Sequence, residues 1–308
     1  MPALLTARAV VLAKIESSYG VDPTPATSAN EVEVFDLGVK VVSDKVERKP
    51  LRASISPQPI KRSRKTYEIT FTTELKGSGT AGTAGRLSPL FKACGMTETV
   101  SAGSSVTYAP GNPTGSCTIY VYKDGLLFKS LGCRGTFEIN VEAGRIPQVK
   151  WTFRGTYAIP TDTSLPTPTY EATIGQVAES TSTTFSGFSA GVVRNYSIDI
   201  GNEVIVRPNL NSGGAVIGVI IGTRTPAGKM LLEAELRATE DIWSDWDLST
   251  AFTFSSVIGV TAGNIVTITS TSNAQWDEVT PADESGIFMY DGALVFSGTD
   301  NEFSVKLT

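Results

Sequence analysis

The clearest hydrophobic pattern in the chain is a strict alternation from Tyr67 to Leu75. Side chains on a β-strand point to opposite faces with a period of two residues, so this segment is predicted to be a strand with one packed and one wet face. β-branched and aromatic residues, which favour strands, dominate it. The packed set is Tyr67, Ile69, Phe71, Thr73 and Leu75, and the wet set is Glu68, Thr70, Thr72 and Glu74.

Further strands are predicted on both sides of this segment. Residues 31–46 form a first strand with a break near Gly38, and an apolar run at 9–12 is either a short strand or a helix start. The segment 117–133 is predicted to be a hairpin, because Asp124-Gly125 separates two apolar runs. The strings TFEINVEAG and PQVKWTFRGTY add two strands, with Trp151 and Phe153 as expected core residues.

Only two short helices are predicted. The first is LSPLFKACG, with Ser88 as N-cap, Pro89 at the first helical position and Gly95 after the end. The second is TEDIWSDWDLST, with Thr239 as N-cap. Trp243 and Trp246 lie three residues apart on one face of it, which favours core packing over ligand stacking.

A Pro- and Thr-rich stretch divides the chain into two halves. The predicted organisation is a first β domain at 1–160, a linker at 161–170 and a second β domain at 171–308. In the second half the predicted strands are VVRNYSIDI, EVIVRP, AVIGVIIGTR, KMLLEAELR, NIVTITST, GIFMYDGALVF and NEFSVKL.

Several strings of the second half resemble strings of the first. KMLLEAEL is similar to EITFTTEL, VTAGNIVTI to VEAGRIPQV, and IFMYDGALVF to IYVYKDGLLF. The last two matches cannot both be collinear, because their order is reversed between the halves. The strings favour a duplicated β domain, and the alternative is two unrelated β-rich domains.

Residues 47–65 are predicted to form a long basic loop between two strands. Three prolines interrupt the segment, which carries one acid, Glu47. Structureless loops longer than about 12–15 residues are uncommon in compact domains. The loop is therefore either a solvated mobile segment or a docking arm for an acidic partner surface. Its seven bases are Arg48, Lys49, Arg52, Lys61, Arg62, Arg64 and Lys65.

The composition excludes several classes of chemistry. The chain has no histidine, so Ser-His-Asp catalysis and imidazole metal ligation are ruled out. Three cysteines without CxxC spacing predict buried thiols rather than a disulfide framework or a zinc site. Clustered acids such as Asp241, Asp245 and Asp247 lack the spacing of a calcium loop. No enzyme, cofactor or metal site is predicted, and a β-sandwich hydrolase is the weakest alternative.

Charge and hydropathy argue against two further classes of protein, general nucleic-acid binders and membrane-spanning proteins. A net charge of −5 predicts no general affinity for nucleic acid. No run is long and apolar enough for a membrane span, and the N-terminal residues do not resemble a signal peptide, so synthesis and folding in a cytoplasm are expected.

An ordered set of strings carries a family resemblance from about residue 10 to 165. It comprises LAKIESSYGVDPTPATSANEVEV, YEITFTTELKGSG, LSPLFKACGM, VTYAP and YVYKDGLLFKSLGCRGTFEINVEAG. Together they resemble a major tail tube protein of long-tailed bacteriophages. The segment WDEVTPADESGIFMYDGALVF with DNEFSVKL is similar to the closing strands of such proteins.

The resemblance implies a structural virion protein of β-sandwich or open-barrel fold, with a short flanking helix in each domain. Family members form rings that stack into a tube in the phage tail, assembled in the host bacterial cytoplasm. The tube carries double-stranded DNA, and its other partners are the tail tip, tape-measure and tail terminator proteins. No membrane insertion is implied.

The resemblance also assigns places to individual residues. The loop at 47–65 is expected to reach into the neighbouring ring, and Glu68 and Glu74 are expected to face the lumen. If both halves are tube domains, three chains complete a ring with pseudo-sixfold symmetry. The alternatives are a hexameric ring with an immunoglobulin-like decoration domain, or a β-rich module that binds carbohydrate or protein outside a tail.

Overall fold

The computed structural model describes residues 3–189 and 191–308, which form antiparallel sheets with two short helices. The strands of the first half are β1 (Ala9–Ile15), β2 (Glu31–Val32), β3 (Phe35–Val46), β4 (Lys61–Glu74), β5 (Met96–Ser101), β6 (Ser105–Pro110), β7 (Cys117–Lys123), β8 (Leu126–Glu142), β9 (Gln148–Thr156) and β10 (Thr161–Asp162). The strands of the second half are β11 (Ser182–Phe185), β12 (Val193–Asp199), β13 (Asn202–Pro208), β14 (Val216–Arg224), β15 (Ala227–Glu233), β16 (Phe252–Ile258), β17 (Val266–Glu284), β18 (Ile287–Phe296) and β19 (Ser304–Leu307). The helices are α1 (Ser88–Ala93) and α2 (Ile242–Asp247), and Gly213–Ala215 forms a 3-10 turn.

The alternation that predicts the central strand is confirmed in β4. Its odd-numbered side chains from Tyr67 onward are buried and its even-numbered ones are partly exposed. Thr73 is tolerated on the buried face because its Oγ1 accepts a hydrogen bond of 2.9 Å from Nε1 of Trp151. Burial raises the pKa of Tyr67 to about 12, and its hydroxyl donates to the carbonyl of Ala158.

Strand β8 belongs to two sheets of the first half. Its residues 126–133 pair with β7, which in turn pairs with β1, while β10 pairs at the start of β8. Its residues 134–140 pair with β9, followed by β4 and β3. The hairpin predicted around Asp124-Gly125 is confirmed, and its second strand continues without a break into the segment TFEIN.

The second half repeats this arrangement around β17. Residues 266–270 of β17 pair with β16, which pairs with β11, while β19 pairs on the other side. Residues 274–284 pair with β18, followed by β15 and β12. In chain order, β1, β3, β4, α1, β7, β8, β9 and β10 therefore have counterparts in β11, β12, β15, α2, β16, β17, β18 and β19.

The two halves are joined by main-chain pairing between β8 and β12. Asn195 lies opposite Glu142 and Asp199 opposite Glu138. This junction makes one eight-stranded antiparallel sheet in the order β3, β4, β9, β8, β12, β15, β18, β17. A second link, between β19 and β6, ties the C-terminus to the first half.

The pairing corrects two of the three sequence matches. KMLLEAEL and EITFTTEL lie on the counterparts β15 and β4, although β15 ends at Glu233 and Leu236 is exposed. Asp291-Gly292 does not form a turn like Asp124-Gly125, because both residues lie inside β18 and pair on two sides. VTAGNIVTI connects β16 to β17, whereas VEAGRIPQV connects β8 to β9, so this match also joins segments that are not counterparts.

Both predicted helix caps are wrong. Ser88 is the first residue of α1 rather than its N-cap, and its hydroxyl donates to Glu98 instead. In α2 the N-cap is Asp241, which accepts a hydrogen bond from the Ser244 N–H, and not Thr239. An aspartate reaches the N3 amide as well as a threonine does, so residue type alone does not separate the two positions.

The core is aromatic and continuous across the halves. Trp151 lies within 6.0 Å, between ring centroids, of Phe91, Phe137 and Phe153. Phe137 in turn contacts Phe303 of the second half at 6.4 Å. Trp151 and Phe153 are fully buried, as predicted.

Replacing Trp151 with alanine should therefore destabilise the protein strongly. The substitution leaves a large cavity and an unpartnered hydroxyl on Thr73, and we expect a loss of about 3–5 kcal/mol in the free energy of unfolding. Denaturant unfolding followed by far-ultraviolet circular dichroism measures this loss. The matched control is Trp246→Ala, which removes a 42% exposed tryptophan and should cost about 1 kcal/mol. Equal losses for the two variants would contradict this description of the core.

Candidate assembly surfaces

Strands β3 and β4 form a ribbon that projects beyond the rest of the sheet. Strand β9 ends opposite Thr66, but β4 continues to pair with β3 as far as Lys61 and Val46. Five extra residues at about 3.3 Å each carry the ribbon roughly 17 Å past its neighbour. The ribbon and the 14-residue connection 47–60 at its end are called the docking arm here.

The structure corrects the extent of the basic loop. Lys61, Arg62, Arg64 and Lys65 lie on strand β4, and the connection holds Arg48, Lys49 and Arg52. Cross-strand contacts explain the longer strand, because Arg64 pairs with Asp44 and Arg62 donates to Ser43. The prolines that suggest an irregular segment all lie in the connection.

The end of the docking arm exposes two large apolar side chains. Leu51 and Ile55 are fully exposed, at 103% and 106%. The side-chain contacts within the connection are local, such as Ser54 with the Ser56 N–H and Lys49 with Glu47. Because they lie at the end of a projecting cationic arm, these two side chains are candidate contacts for another chain.

The two glutamates expected in the lumen have different surroundings. Glu68 lies on the polar face of the eight-stranded sheet, 3.7 Å from Lys40 and 3.1 Å from Arg154. Glu74 accepts a 2.9 Å hydrogen bond from the Gly175 N–H. The connection between the halves, residues 163–181, therefore crosses Glu74. Both side chains point to the same face, but Glu68 is balanced by cations on the adjacent strands.

Within the part of the chain that the structure describes, the eight-stranded sheet has two open edges, β3 and residues 278–284 of β17; nearer the start of β17, Ala274 pairs with Phe252 and the carbonyl of Asp277 accepts a hydrogen bond from Nε1 of Trp246. On β3, Val41 is 47% exposed. In the repeated pairing of the two halves, Val41 of β3 is the counterpart of Ile198 of β12. Ile198 is 1% exposed, because β8 pairs beside it. Open edges with exposed apolar side chains are sites for pairing with another chain.

The hairpin β13–β14 takes the place of the docking arm in the second half. It follows β12 and precedes β15 in the chain, as the connection 47–60 follows β3 and precedes β4. Sequence patterns predict both of its strands but not their pairing with each other.

This hairpin folds back onto the first half instead of projecting. The amide of Asn202 donates to the carbonyls of Cys94 and Gly135, at 2.7 and 2.9 Å. The Tyr19 hydroxyl accepts from the Val219 N–H and donates to the carbonyl of Gly132. Burial raises the pKa of Tyr19, so it stays a neutral donor. Of these two ribbons, the docking arm therefore projects, whereas β13–β14 is held against the first half and exposes Leu210 at its turn.

Other features of the described residues are structural. Cys94, Cys117 and Cys133 are free and buried, and burial raises the pKa of the Cys133 thiol to about 12. Within residues 3–189 and 191–308, no cluster of acids and cysteines is placed to hold a metal ion. No helix in these ranges has the length and apolar character needed to cross a membrane.

Deleting Leu51–Ile60 should leave the fold intact. The deleted residues are exposed apart from Gln58, which is half-buried, and their hydrogen bonds are local, so we expect the free energy of unfolding to change by less than about 1 kcal/mol. Denaturant unfolding at a protein concentration too low for assembly measures it. A loss comparable to that of Trp151→Ala would show that the docking arm is part of the core structure.

Comparison with known proteins gives one family. A family model described as phage tail tube protein matches residues 6–302. No curated protein matches the chain. The family match covers almost the whole chain, including the docking arm, both open edges and the hairpin that folds back. The protein is a structural component of the virion tail, and it belongs to the phage tail tube protein family.

Proposed function

We propose that three copies of this chain close each ring of the tail tube, with six similar walls built from six half-chains. The observation that carries the proposal is the repeated order and pairing of strands in the two halves. Each half supplies four strands to the eight-stranded sheet, and the junction between β8 and β12 joins them. A closed ring needs the same kind of junction between chains.

The proposed junction between chains pairs β17 of one copy with β3 of the next. Strand β17 is the counterpart of β8, and β3 is the counterpart of β12. Matching the registers places Val42 opposite Ala282, as Asp199 lies opposite Glu138 within the chain. Two residues along, Lys40, which lies 3.7 Å from Glu68, would be opposite Glu284, which lies 2.8 Å from Arg194, so the junction would join two ion pairs into one network of charges.

Pro281 is compatible with this junction. In the first half, the counterpart of Pro281 is Phe137 of β8. The carbonyl of Phe137 accepts a hydrogen bond from the Ile200 N–H. A proline retains this carbonyl and lacks only the N–H. Proline is found on sheet edges, where it also discourages pairing in a wrong register.

The polar face of the sheet is proposed to line the lumen through which double-stranded DNA passes. Besides Glu68, this face carries acids such as Glu138, Glu142 and Asp291, together with bases such as Lys150, which lies opposite Glu138, and Lys229. Carboxylates on the wall would repel phosphates and keep the DNA from binding during ejection. The two end faces of the tube would meet the terminator and tip proteins, and the tape-measure protein would occupy the lumen before the DNA.

The intact chain should form rods, and the chain lacking Leu51–Ile60 should not. The docking arm is proposed to connect rings, so its removal leaves single rings. Negative-stain electron microscopy at rising protein concentration distinguishes these states. Rods from both chains would refute the role of the arm, and monodisperse single chains under all conditions, with or without tail tip proteins as initiators, would favour a binding module.

Val41→Asp should prevent ring closure without unfolding the chain. Val41 is half-exposed in the single chain but would be covered by β17 of the next copy, where a buried carboxylate costs several kcal/mol. We expect ring formation to weaken about 100-fold or more, measured by native mass spectrometry as loss of the species with three 32.6 kDa chains.

The control is Val260→Asp, because Val260 is 87% exposed and lies away from both open edges. It should leave the three-chain ring unchanged. A ring of six chains in the unsubstituted protein would contradict the trimer and favour one tube domain with a decoration domain. Equal assembly of the two variants would contradict the proposed junction.

A further inference from the structure

We propose that the docking arm of one ring binds the next ring at the end of the second half, on an apolar patch formed by Val192, Leu236, Ile287 and Phe288. The occupant is a second copy of this chain. The inference rests on the proposed tube function and adds to it the receiving surface, which lies in one half of the chain and not in the other.

The docking arm and the patch lie at opposite ends of the same sheet. The end of the docking arm adjoins Val46 and Lys61, beyond the level of Thr156. Following the pairs across the sheet, the far end is formed by residues such as Glu74, Glu142, Glu233 and Ile287. In rings stacked head to tail, the arm end of one ring faces the patch end of the next.

At this far end the first half is already covered by its own chain. The connection between the halves lies across the turn from β8 to β9: the Ala178 N–H donates to Arg145, and the Gly144 N–H donates to Ala178. Glu171 in the same connection lies 3.8 Å from Arg86, and partial burial raises the pKa of this carboxyl. An arm from another ring would have to displace this connection to reach the turn from β8 to β9.

The corresponding end of the second half is open. Phe288 is 57% exposed, whereas Val149, at the equivalent place in the first half, is fully buried. Three chain segments meet beside it, because the Ala234 N–H donates to Phe288 and the Glu233 N–H donates to Val192. The exposed fractions of Val192, Leu236 and Ile287 are 50%, 78% and 45%.

Charge complements the docking arm at this patch. Glu235 and Asp283 lie beside the apolar side chains. Arg194 and Arg237, which lie at the same end, are already paired with Glu284 at 2.8 Å and with Asp241 at 2.7 Å. The patch thus offers apolar surface with an acidic border to Leu51, Ile55 and the bases of the docking arm, and the complementary charges would favour this orientation of stacking.

In the proposed stacking, each chain contributes one arm and one patch. Among the described residues, the hairpin β13–β14 of the second half folds back onto the first half, and at the far end of the first half the turn from β8 to β9 is covered by the connection between the halves, which exposes Ile174 and Val177 of its own. Each chain then gives one arm to the ring on one side and one patch to the ring on the other. A trimeric ring would carry three arms and three open patches, so the contact between rings follows threefold symmetry.

Cysteine cross-linking in assembled tubes tests the inference. The variant carrying Ile55→Cys and Phe288→Cys should lose its 32.6 kDa band and give a ladder of linked chains on oxidation. The matched control carries Ile55→Cys and Arg145→Cys, because Arg145 is exposed at the equivalent turn of the first half. It should keep the single band. The native cysteines are fully buried and should not react.

The outcomes separate the two proposals. A ladder from the control pair alone, or single bands from both pairs in tubes seen by electron microscopy, would overturn the patch assignment and leave the tube function intact. Failure of the unsubstituted chain to form rings or tubes would contradict the tube function and this inference with it. As a second variant, Phe288→Asp should still form three-chain rings but lose stacking, whereas Arg145→Asp should stack normally; normal stacking of Phe288→Asp would also overturn the assignment.

Discussion

Main-chain pairing between β8 and β12 is the constraint on which the rest of the structure depends. It turns two four-stranded sheets into one and covers an edge that would otherwise be open. The outer strands of this sheet, β3 and the second part of β17, each have a paired neighbour on one side only, β4 and β18. An antiparallel sheet with complementary open edges either aggregates without limit or closes, and a closed ring removes every edge.

The two halves share one order of strand pairing but differ in the segment that joins their first two sheet strands. The first half carries the docking arm, on which Leu51 and Ile55 are fully exposed, whereas the turn between β13 and β14 exposes one leucine, Leu210. That hairpin is fixed to the first half by Asn202 and Tyr19.

Much of the fold was accessible from sequence, because the signals are local. The alternation from Tyr67 to Leu75, the Asp124-Gly125 turn and the burial of Trp151 all follow from period-two patterning and turn chemistry, and each is confirmed. The family itself was also recognisable, from an ordered set of strings that the match over residues 6–302 supports.

The errors arose where a local string does not determine its partner. Asp291-Gly292 resembles a turn, yet neighbours on both sides hold it inside β18. The basic residues 61–65 follow a proline-rich stretch and suggest a loop, but this segment forms part of strand β4 because it pairs with β3. The connection between the halves covers the turn from β8 to β9 in the first half, whereas the equivalent place around Phe288 in the second half is open. No local sequence pattern encodes this difference. Whether Glu68 and Glu74 line a lumen remains a prediction of the assembly.

The most direct test of this account is a cryo-electron microscopy map of assembled tubes, in which the chain path can be followed around one ring. The account predicts three chains per ring, six similar walls, and β17 of each chain paired with β3 of the next. A ring of six chains, or a wall in which β3 and β17 both remain without partners, would contradict it.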